Sequence, residues 1–219
     1  MQEKAMETAD VVANLFTQME ATVSAYGPAA IKLTKRIEGT AFFPGGIGLW
    51  QTLKPRGTAP LLFPGAPIMV LGHNFDKVSG FEASRRNGIE PMERGTWLIL
   101  RRYLQAARVD ETDCFFTNVF VGLQPFKAIG EMKAGDLYEE QCRKFLANQI
   151  EIVKPRLVAT LGKPATTQYA LSGIKVPSVS LNHPSYACMK GPGTKECSEI
   201  VVSEGAKLRK ALDDLMVGR

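Results

Sequence analysis

Four short apolar runs, separated by stretches with helical periodicity, constrain the fold of this chain more than any other feature. The runs have the length of strands and consist mostly of residues that favour β-structure. They cover Ile68–Gly72, Cys114–Asn118, Arg156–Gly162 and Val176–Leu181. Strands that alternate with helices form parallel sheets covered by helices on both faces, and continuous apolar runs indicate burial on both sides. The sequence therefore predicts a three-layer α/β/α fold with a central four-stranded parallel sheet.

The stretches between the runs carry apolar residues at the i, i+3 and i+4 spacing of helices that pack one face on a sheet. Helices are predicted over Thr96–Ala107, Tyr138–Val153, Pro164–Leu171 and Ser198–Met216. A further helical pattern covers Met1–Lys35, and a loop rich in glycine, proline and aromatic residues covers 39–67. No repeat divides the chain, so residues 1–219 are expected to form a single domain in which 1–65 is a helical and loop lead-in.

The charge balance is mildly basic, with 27 Lys and Arg against 22 Asp and Glu. A net charge of +5 permits a phosphate-binding face but does not require one. No apolar run approaches the roughly 20 residues of a membrane helix, and the N-terminus lacks the pattern of a secretory signal. A cytoplasmic protein without a membrane partner is therefore expected.

The four cysteines, Cys114, Cys142, Cys188 and Cys197, include no Cys-x-x-Cys pair. Zinc and iron–sulfur sites usually contain such pairs, and disulfides are rare in a reducing compartment. Free thiols are predicted, with Cys114 and Cys142 in the core. We expect no cofactor and no metal.

The only two histidines of the chain both follow predicted strands. In parallel sheets the ligand lies beyond the carboxyl ends of the strands, so residues in these places are candidates for a site. His73 and Asn74 follow the first run, Asn118 ends the second, and His183 follows the fourth.

The order of these motifs resembles the uracil-DNA glycosylase superfamily. Its members carry Gly-x-(Asp/Asn)-Pro or a relative after the first strand, an asparagine at the end of a later strand, and a final His-Pro-Ser motif. Here Gly72-His73-Asn74 occupies the first position and His183-Pro184-Ser185 the last. Short pieces within 142–165 resemble the thermophilic, iron–sulfur branches most. The resemblance spans about residues 66–190 and implies an enzyme of DNA base excision repair.

Three departures from the family pattern concern the first motif and the cysteines. Phe75 stands where the family usually has proline, and the N-terminal Cys-x-x-Cys of the iron–sulfur branches is missing. Asn74 stands where the most active members have aspartate, and it matches the asparagine of the mismatch-specific and single-strand-selective branches. These departures bear on rate and substrate range more than on the class of reaction.

The resemblance implies roles for individual residues. His183 is expected to donate a hydrogen bond to the base carbonyl oxygen as negative charge develops there. Asn74 is expected to orient the attacking water, because an amide cannot accept a proton at pH 7. Asn118 is expected to read the Watson–Crick edge of a flipped uracil. Gly72, His73 and Phe75 complete the predicted base pocket, in which His73 acts through its backbone or as a ligand of the water.

The loop after His-Pro-Ser is expected to meet DNA. Tyr186 and Met189 are candidates for an apolar wedge that fills the gap left by the flipped base, with Ser185 and Lys190 beside them. Phe75 and Phe81 are candidates for stacking on the base. The expected partner is single- or double-stranded DNA containing a deaminated base, bound by a monomer.

Two alternatives compete with this interpretation. His73, Asp76 and His183 supply the ligand types of a non-haem iron or zinc site, which indicates a metal-dependent hydrolase or oxygenase. A superfamily member that has lost catalysis and only binds nucleic acid is the other. A serine hydrolase is poorly supported, since the sequence contains no Gly-x-Ser-x-Gly motif.

Overall fold

The structure is a computed structural model that describes residues 6–24, 42, 62–63, 68–74, 78–88, 93–121 and 136–217. Strands and helices follow in the order β1 (Met6–Glu7), α1 (Thr8–Ser24), β2 (Leu62–Phe63), β3 (Ile68–Asn74), α2 (Val78–Asn87), α3 (Gly95–Ala106), β4 (Cys114–Phe120), α4 (Asp136–Val153), β5 (Leu157–Leu161), α5 (Gly162–Leu171), β6 (Ser178–Leu181), α6 (Pro184–Met189) and α7 (Lys195–Val217). None of the helices in these ranges has the length and apolar character needed to cross a membrane.

Strands β3 to β6 form one parallel sheet with the order β4-β3-β5-β6. Ile68 of β3 pairs with Cys114 of β4 on one side and with Leu157 of β5 on the other. At the far end of the sheet, Leu161 of β5 pairs with Leu181 of β6. Each connection between strands that are consecutive in the chain contains a helix, as crossovers between parallel strands usually do. The predicted four-stranded parallel sheet is confirmed.

Side chains alternate between the two faces of the sheet and build a core on each. Met69 and Leu71 of β3 contact the core formed with α1, α4 and α5. Ile68 and Val70 contact the core formed with α3 and α7. A fully buried side chain of this kind contributes about 1.5–3 kcal/mol relative to exposure. Two helical layers therefore enclose the sheet, and the predicted three-layer architecture is also confirmed.

Strand β6 differs from the expectation that all four strands are buried on both sides. Of its four residues only Leu181 is fully buried, whereas Ser178 and Ser180 are exposed. The strand lies at one edge of the sheet order. Its alternate side chains therefore face solvent, as in sheets with one open face.

The N-terminal segment does not follow the prediction throughout. Met6–Glu7 form a strand that pairs antiparallel with Leu62–Phe63, and the helix begins only at Thr8. The partner of this strand lies far along the chain, so local periodicity could not reveal it. The predicted helical residues beyond Ser24, and most of the 39–67 loop, lie outside the described residues.

Two helices were missed by the sequence analysis. Helix α2 contains a glycine and, among its described side chains, one that is fully buried, Phe81. It therefore lacks the apolar stripe by which helices are recognised. Helix α6 has only six residues, although Pro184 occupies its first turn, where proline is favoured.

Cys114 and Cys142 are buried free thiols, as predicted. Burial is the first cause that raises the pKa of the Cys114 thiol, and neighbouring carboxylates such as Asp113 raise it further. The thiol is therefore neutral and packs as an apolar side chain.

Candidate functional site

The predicted site residues lie at the carboxyl edge of the sheet. Gly72, His73 and Asn74 are the last three residues of β3 rather than residues that follow it. Asn118 lies near the end of the neighbouring β4 and is in register with Gly72. His183 lies two residues beyond the end of β6. Parallel packing thus places all five at one edge, where such sheets bind ligands.

Asn118 reaches across to the backbone of the adjacent strand. A Cβ atom at position 72 would lie only 2.4 Å from Oδ1 of Asn118, a separation that real Cβ atoms do not tolerate. The amide can therefore occupy this place only because residue 72 is glycine. The Asn118 side chain is also buried, with 3% exposure. A buried carboxamide at a ligand-binding edge is suited to recognition by hydrogen bonds.

Asn74 and His73 lie on opposite faces of β3, because side chains alternate along a strand. Asn74 is half-buried, and its register partner on β4 is Phe120. The His73 ring makes an edge-to-face contact with Phe120, with 5.0 Å between the ring centroids and 83° between the planes.

His73 is a half-buried imidazole that is neutral at pH 7. Burial, followed by the charge of nearby His183, lowers the pKa of His73 to about 4. Its Nδ1 atom is buried and has no hydrogen-bond partner within the part of the chain that the structure describes. His183 lies close enough to affect the charge of His73, and a buried nitrogen of this kind is able to bind a water or a ligand group.

The His183 ring is fixed by the helix that follows it. His183 is the N-cap of α6, where its Nδ1 accepts a hydrogen bond of 3.2 Å from the backbone N–H of Ser185. The Ser185 hydroxyl lies 2.7 Å from the same nitrogen. Because Nδ1 accepts, the proton of the neutral ring is on Nε2. Burial lowers the pKa of His183 below its usual value, which favours this neutral form.

Gly162 holds the turn after β5 against His183. Its φ is +83°, a left-handed conformation that favours glycine. A Cβ atom there would lie 3.0 Å from Cβ of His183. The ends of β5 and β6 therefore meet at this contact, which limits where the imidazole can lie.

Glu204 belongs to the same region, although the sequence analysis did not single it out. This α7 residue is 1% exposed. Its two carboxylate oxygens accept hydrogen bonds of 2.9 Å from the backbone N–H and the side-chain Nδ2 of Asn182. A signal was available, because Glu204 lies in the buried stripe that includes Val201 and Leu208. A carboxylate at an apolar helix position is buried only when it is paired.

The surface of α6 carries exposed apolar and cationic groups. Tyr186 is 46% exposed and Met189 is 77% exposed. The Lys190 Nζ lies 5.9 Å from the Tyr186 ring centroid and 3.6 Å from the Glu196 carboxylate. Ser185, predicted to meet DNA, is half-buried and its hydroxyl contacts His183 instead.

The remaining candidates are placed only in part. Phe81 is 2% exposed, so its ring is not open for stacking on a base. Phe75 and Asp76 lie outside the described residues. Within the ranges that the structure covers, no group of three or more His, Cys, Asp or Glu side chains is arranged to hold a metal ion. Asp76, the third ligand of the metal-site alternative, lies outside these ranges.

Comparison with known proteins bears on the class of this site. No curated protein matches the chain. A family model described as the Uracil DNA glycosylase superfamily matches residues 64–203. This match covers more than half of the chain and includes the edge residues from Gly72 to Ser185. It supports a glycosylase-like role in DNA repair. The chain therefore belongs to the uracil-DNA glycosylase superfamily.

Proposed function

We propose that the protein is a monofunctional DNA glycosylase that hydrolyses the N-glycosidic bond of a flipped-out deaminated base, with uracil as the first substrate to test. The main support for this proposal is the protonation state of the His183 ring. Its Nδ1 accepts from the Ser185 N–H, so its Nε2–H is the remaining donor. The ring lies at the ligand-binding edge of the sheet, beside Gly162.

A neutral donor at this place suits the reaction. When the C1′–N1 bond breaks, its electron pair passes to the base, and negative charge develops on the base carbonyl oxygen. A hydrogen bond from Nε2–H stabilises that charge as it forms. Water adds to C1′ and loses a proton to solvent, while the departing base anion takes up a proton from solvent. The products are an abasic sugar and a neutral free base.

Asn74 and Asn118 support the two other requirements of the reaction. Asn74 lies two residues beyond Gly72, the register partner of Asn118, and its amide can orient a water but cannot deprotonate it. In Asn118, the amide oxygen can accept from N3–H of uracil while the amide nitrogen donates to O4. Cytosine presents the reverse pattern and would leave buried groups unpaired.

Contact with DNA is assigned to α6. The exposed side chains of Tyr186 and Met189 supply an apolar surface next to His183, and such side chains can fill the gap in a base stack. Lys190 supplies a positive charge on the same short helix. Both single-stranded and double-stranded DNA are partners to be tested.

The first test uses oligonucleotides that contain uracil, hypoxanthine or xanthine, single- and double-stranded, incubated in EDTA and then cleaved with alkali. Wild-type protein should produce strand breaks at one or more of these lesions. His183→Ala should lower the single-turnover rate by about 100- to 1,000-fold, the usual effect of removing one donor to developing charge. Absence of breaks at every lesion, or full activity of His183→Ala, would contradict the proposal.

A second arm tests the pocket through Asn118. Gly72→Ala would place a Cβ 2.4 Å from Oδ1 of Asn118 and displace the amide. The rate should fall by at least about tenfold, because small displacements of positioning groups have large effects. Gly193→Ala is the matched control, since a Cβ there meets nothing within 4 Å. Equal rates for the two variants would show that Asn118 does not recognise the base.

The same experiment separates the alternatives. Activity that EDTA abolishes and a divalent metal restores would favour the metal-dependent enzyme. Tight binding of DNA without an abasic product would favour the inactive binding protein.

A further inference from the structure

Asn182 joins the end of β6 to His183, and a buried carboxylate on α7 holds it at two points. Leu181, the last residue of β6, still pairs with Leu161 in the sheet ladder. Beyond it, the Asn182 backbone N–H donates to Oε2 of Glu204, and its Nδ2 donates to Oε1, both at 2.9 Å. The Glu204 carboxylate therefore accepts the backbone hydrogen bond of the first residue beyond the β5–β6 pairing.

The Glu204 carboxylate has its own partners and is not an uncompensated buried charge. Lys207, one turn further along α7, donates from Nζ to Oε1 at 2.7 Å. The Lys207 side chain is 47% exposed, whereas the Glu204 side chain is 1% exposed. A buried carboxylate with three donors is held in one orientation.

Helix α7 is itself fixed against α3. A Cβ at Gly205 would lie 2.4 Å from Cβ of Ala106, so the two helices are in close contact beside Glu204. Leu208 is fully buried in the core between α7 and the sheet. The carboxylate is therefore mounted on a rigid element, as positioning groups must be.

We infer that Glu204 is a positioning residue for the His183 imidazole. The inference rests on the proposed function, in which Nε2–H of His183 contacts the base. Glu204 fixes Asn182 on one side of His183, and the N-cap bonds to Ser185 fix the ring on the other. Without the carboxylate, the peptide before His183 loses its anchor and the direction of Nε2–H is no longer set.

The test uses Glu204→Gln, which keeps the size of the side chain but places an NH₂ group against a donor of Asn182. The single-turnover rate on the best lesion should fall by about 10- to 100-fold. In a His183→Ala background the same change should have less than about a twofold effect, because the two residues act in one network. Glu151→Gln on the exposed surface of α4 is the matched control. An equal loss in both backgrounds would overturn the inference.

A complementary swap keeps the test valid if Glu204→Gln is poorly folded. Asn182→Asp alone sets two carboxylates against each other. When Asn182→Asp is combined with Glu204→Gln, the amide oxygen at position 204 can accept from the backbone N–H of residue 182. The amide nitrogen at position 204 can then donate to the carboxylate at position 182. The swap should recover most of the rate lost in Asn182→Asp, and failure to recover it with wild-type thermal stability would contradict the positioning role.

Imidazole NMR separates this inference from the proposed function. The chain has only two histidines, so ¹H–¹⁵N spectra of the rings contain two sets of signals, one of which His183→Ala removes. His183 should give one sharp set of ring signals in the wild type, whereas in Glu204→Gln these signals should broaden or split, because the direction of the ring is no longer fixed. That change in a protein without glycosylase activity would uphold the positioning role and reject the proposed function. Unchanged signals would reject the positioning role.

Discussion

The chemistry of the site depends on two imidazoles that are both held neutral. His183 uses Nδ1 as an acceptor for the α6 N-terminus, so a second proton on the ring would face the Ser185 N–H. His73 lies nearby with a buried Nδ1 that has no hydrogen-bond partner among the described residues. Burial disfavours protonation of both rings, and the charge of His183 further lowers the pKa of His73. The pair therefore supplies hydrogen-bonding groups without positive charge.

A pH dependence of stability follows at the residue scale. The His73 pKa is about 4 in the folded protein and 6.5 in the unfolded reference. Between these values the unfolded chain binds a proton that the folded protein does not, so the free energy of unfolding falls as pH decreases through this window. His73→Gln should reduce this slope by up to about 1.4 kcal/mol per pH unit.

Urea unfolding of the wild type and His73→Gln between pH 8.5 and 4 measures this effect. Above about pH 7.5 the two proteins should differ by a nearly constant amount, because His73 is almost fully deprotonated in both states there; this offset is the internal control. Parallel curves across the whole range would show that the pKa of His73 is not lowered in the folded protein.

At the scale of elements, the site is assembled from two turns that touch. The turn from β5 into α5 passes Gly162, and the turn from β6 into α6 passes His183. The hydroxyls of Thr166 and Ser180, 2.9 Å apart, also connect α5 with β6. A change in one turn is therefore expected to move the other.

Gly162→Ala tests this coupling, with Gly173→Ala as the matched control. Both glycines have a positive φ, +83° and +70°, so alanine should cost about 1–2 kcal/mol of stability at each. Only at position 162 does the new Cβ meet His183, at 3.0 Å; at position 173 it meets nothing within 4 Å.

The single-turnover rate should therefore fall about tenfold in Gly162→Ala and stay near the wild-type value in Gly173→Ala, once unfolded protein is subtracted using the measured stability. A rate loss of the same size in both variants would mean that backbone strain, and not the contact with His183, is responsible.

At the scale of the whole molecule, the excess of five positive charges favours binding to a polyanion. Many of the charged side chains are paired within their own helix, as Arg209 is with Asp213 and Lys210 with Asp214 on α7. Lys190 differs because its ion-pair partner, Glu196, lies beyond α6, and because it is close to the exposed Tyr186 ring. Lys190 is therefore the cation beside the site that we expect to contact a DNA phosphate.

The logarithm of the association constant for undamaged DNA should fall linearly with the logarithm of the salt concentration, because binding releases counterions from the phosphates. Lys190→Gln should reduce the slope by about one, the value for one lost phosphate contact. Fluorescence anisotropy from low to moderate salt measures it. Lys144→Gln on α4, where Lys144 pairs with Glu140, is the control. A slope that responds to both substitutions, or to neither, would exclude a specific Lys190 contact.

The sequence alone determined the sheet and the edge that carries the candidate site residues. Apolar runs and helical spacing depend on local periodicity, which is why the four strands and the helices α3, α4, α5 and α7 could be predicted within a few residues of their bounds. Parallel pairing then placed His73, Asn74, Asn118 and His183 at one edge before any contact was known. The family motifs could be identified for the same reason, since they follow the strands in order.

Only the tertiary structure decided how those side chains are held. The contact of Asn118 with Gly72, the opposite faces taken by His73 and Asn74, and the bonds from Asn182 to Glu204 depend on strand register and on where α7 crosses the end of the sheet. Such contacts join residues distant in sequence and are fixed by packing, so no local pattern encodes them. The edge position of β6 has the same origin, because its exposure depends on the absence of a further neighbour within the described sheet.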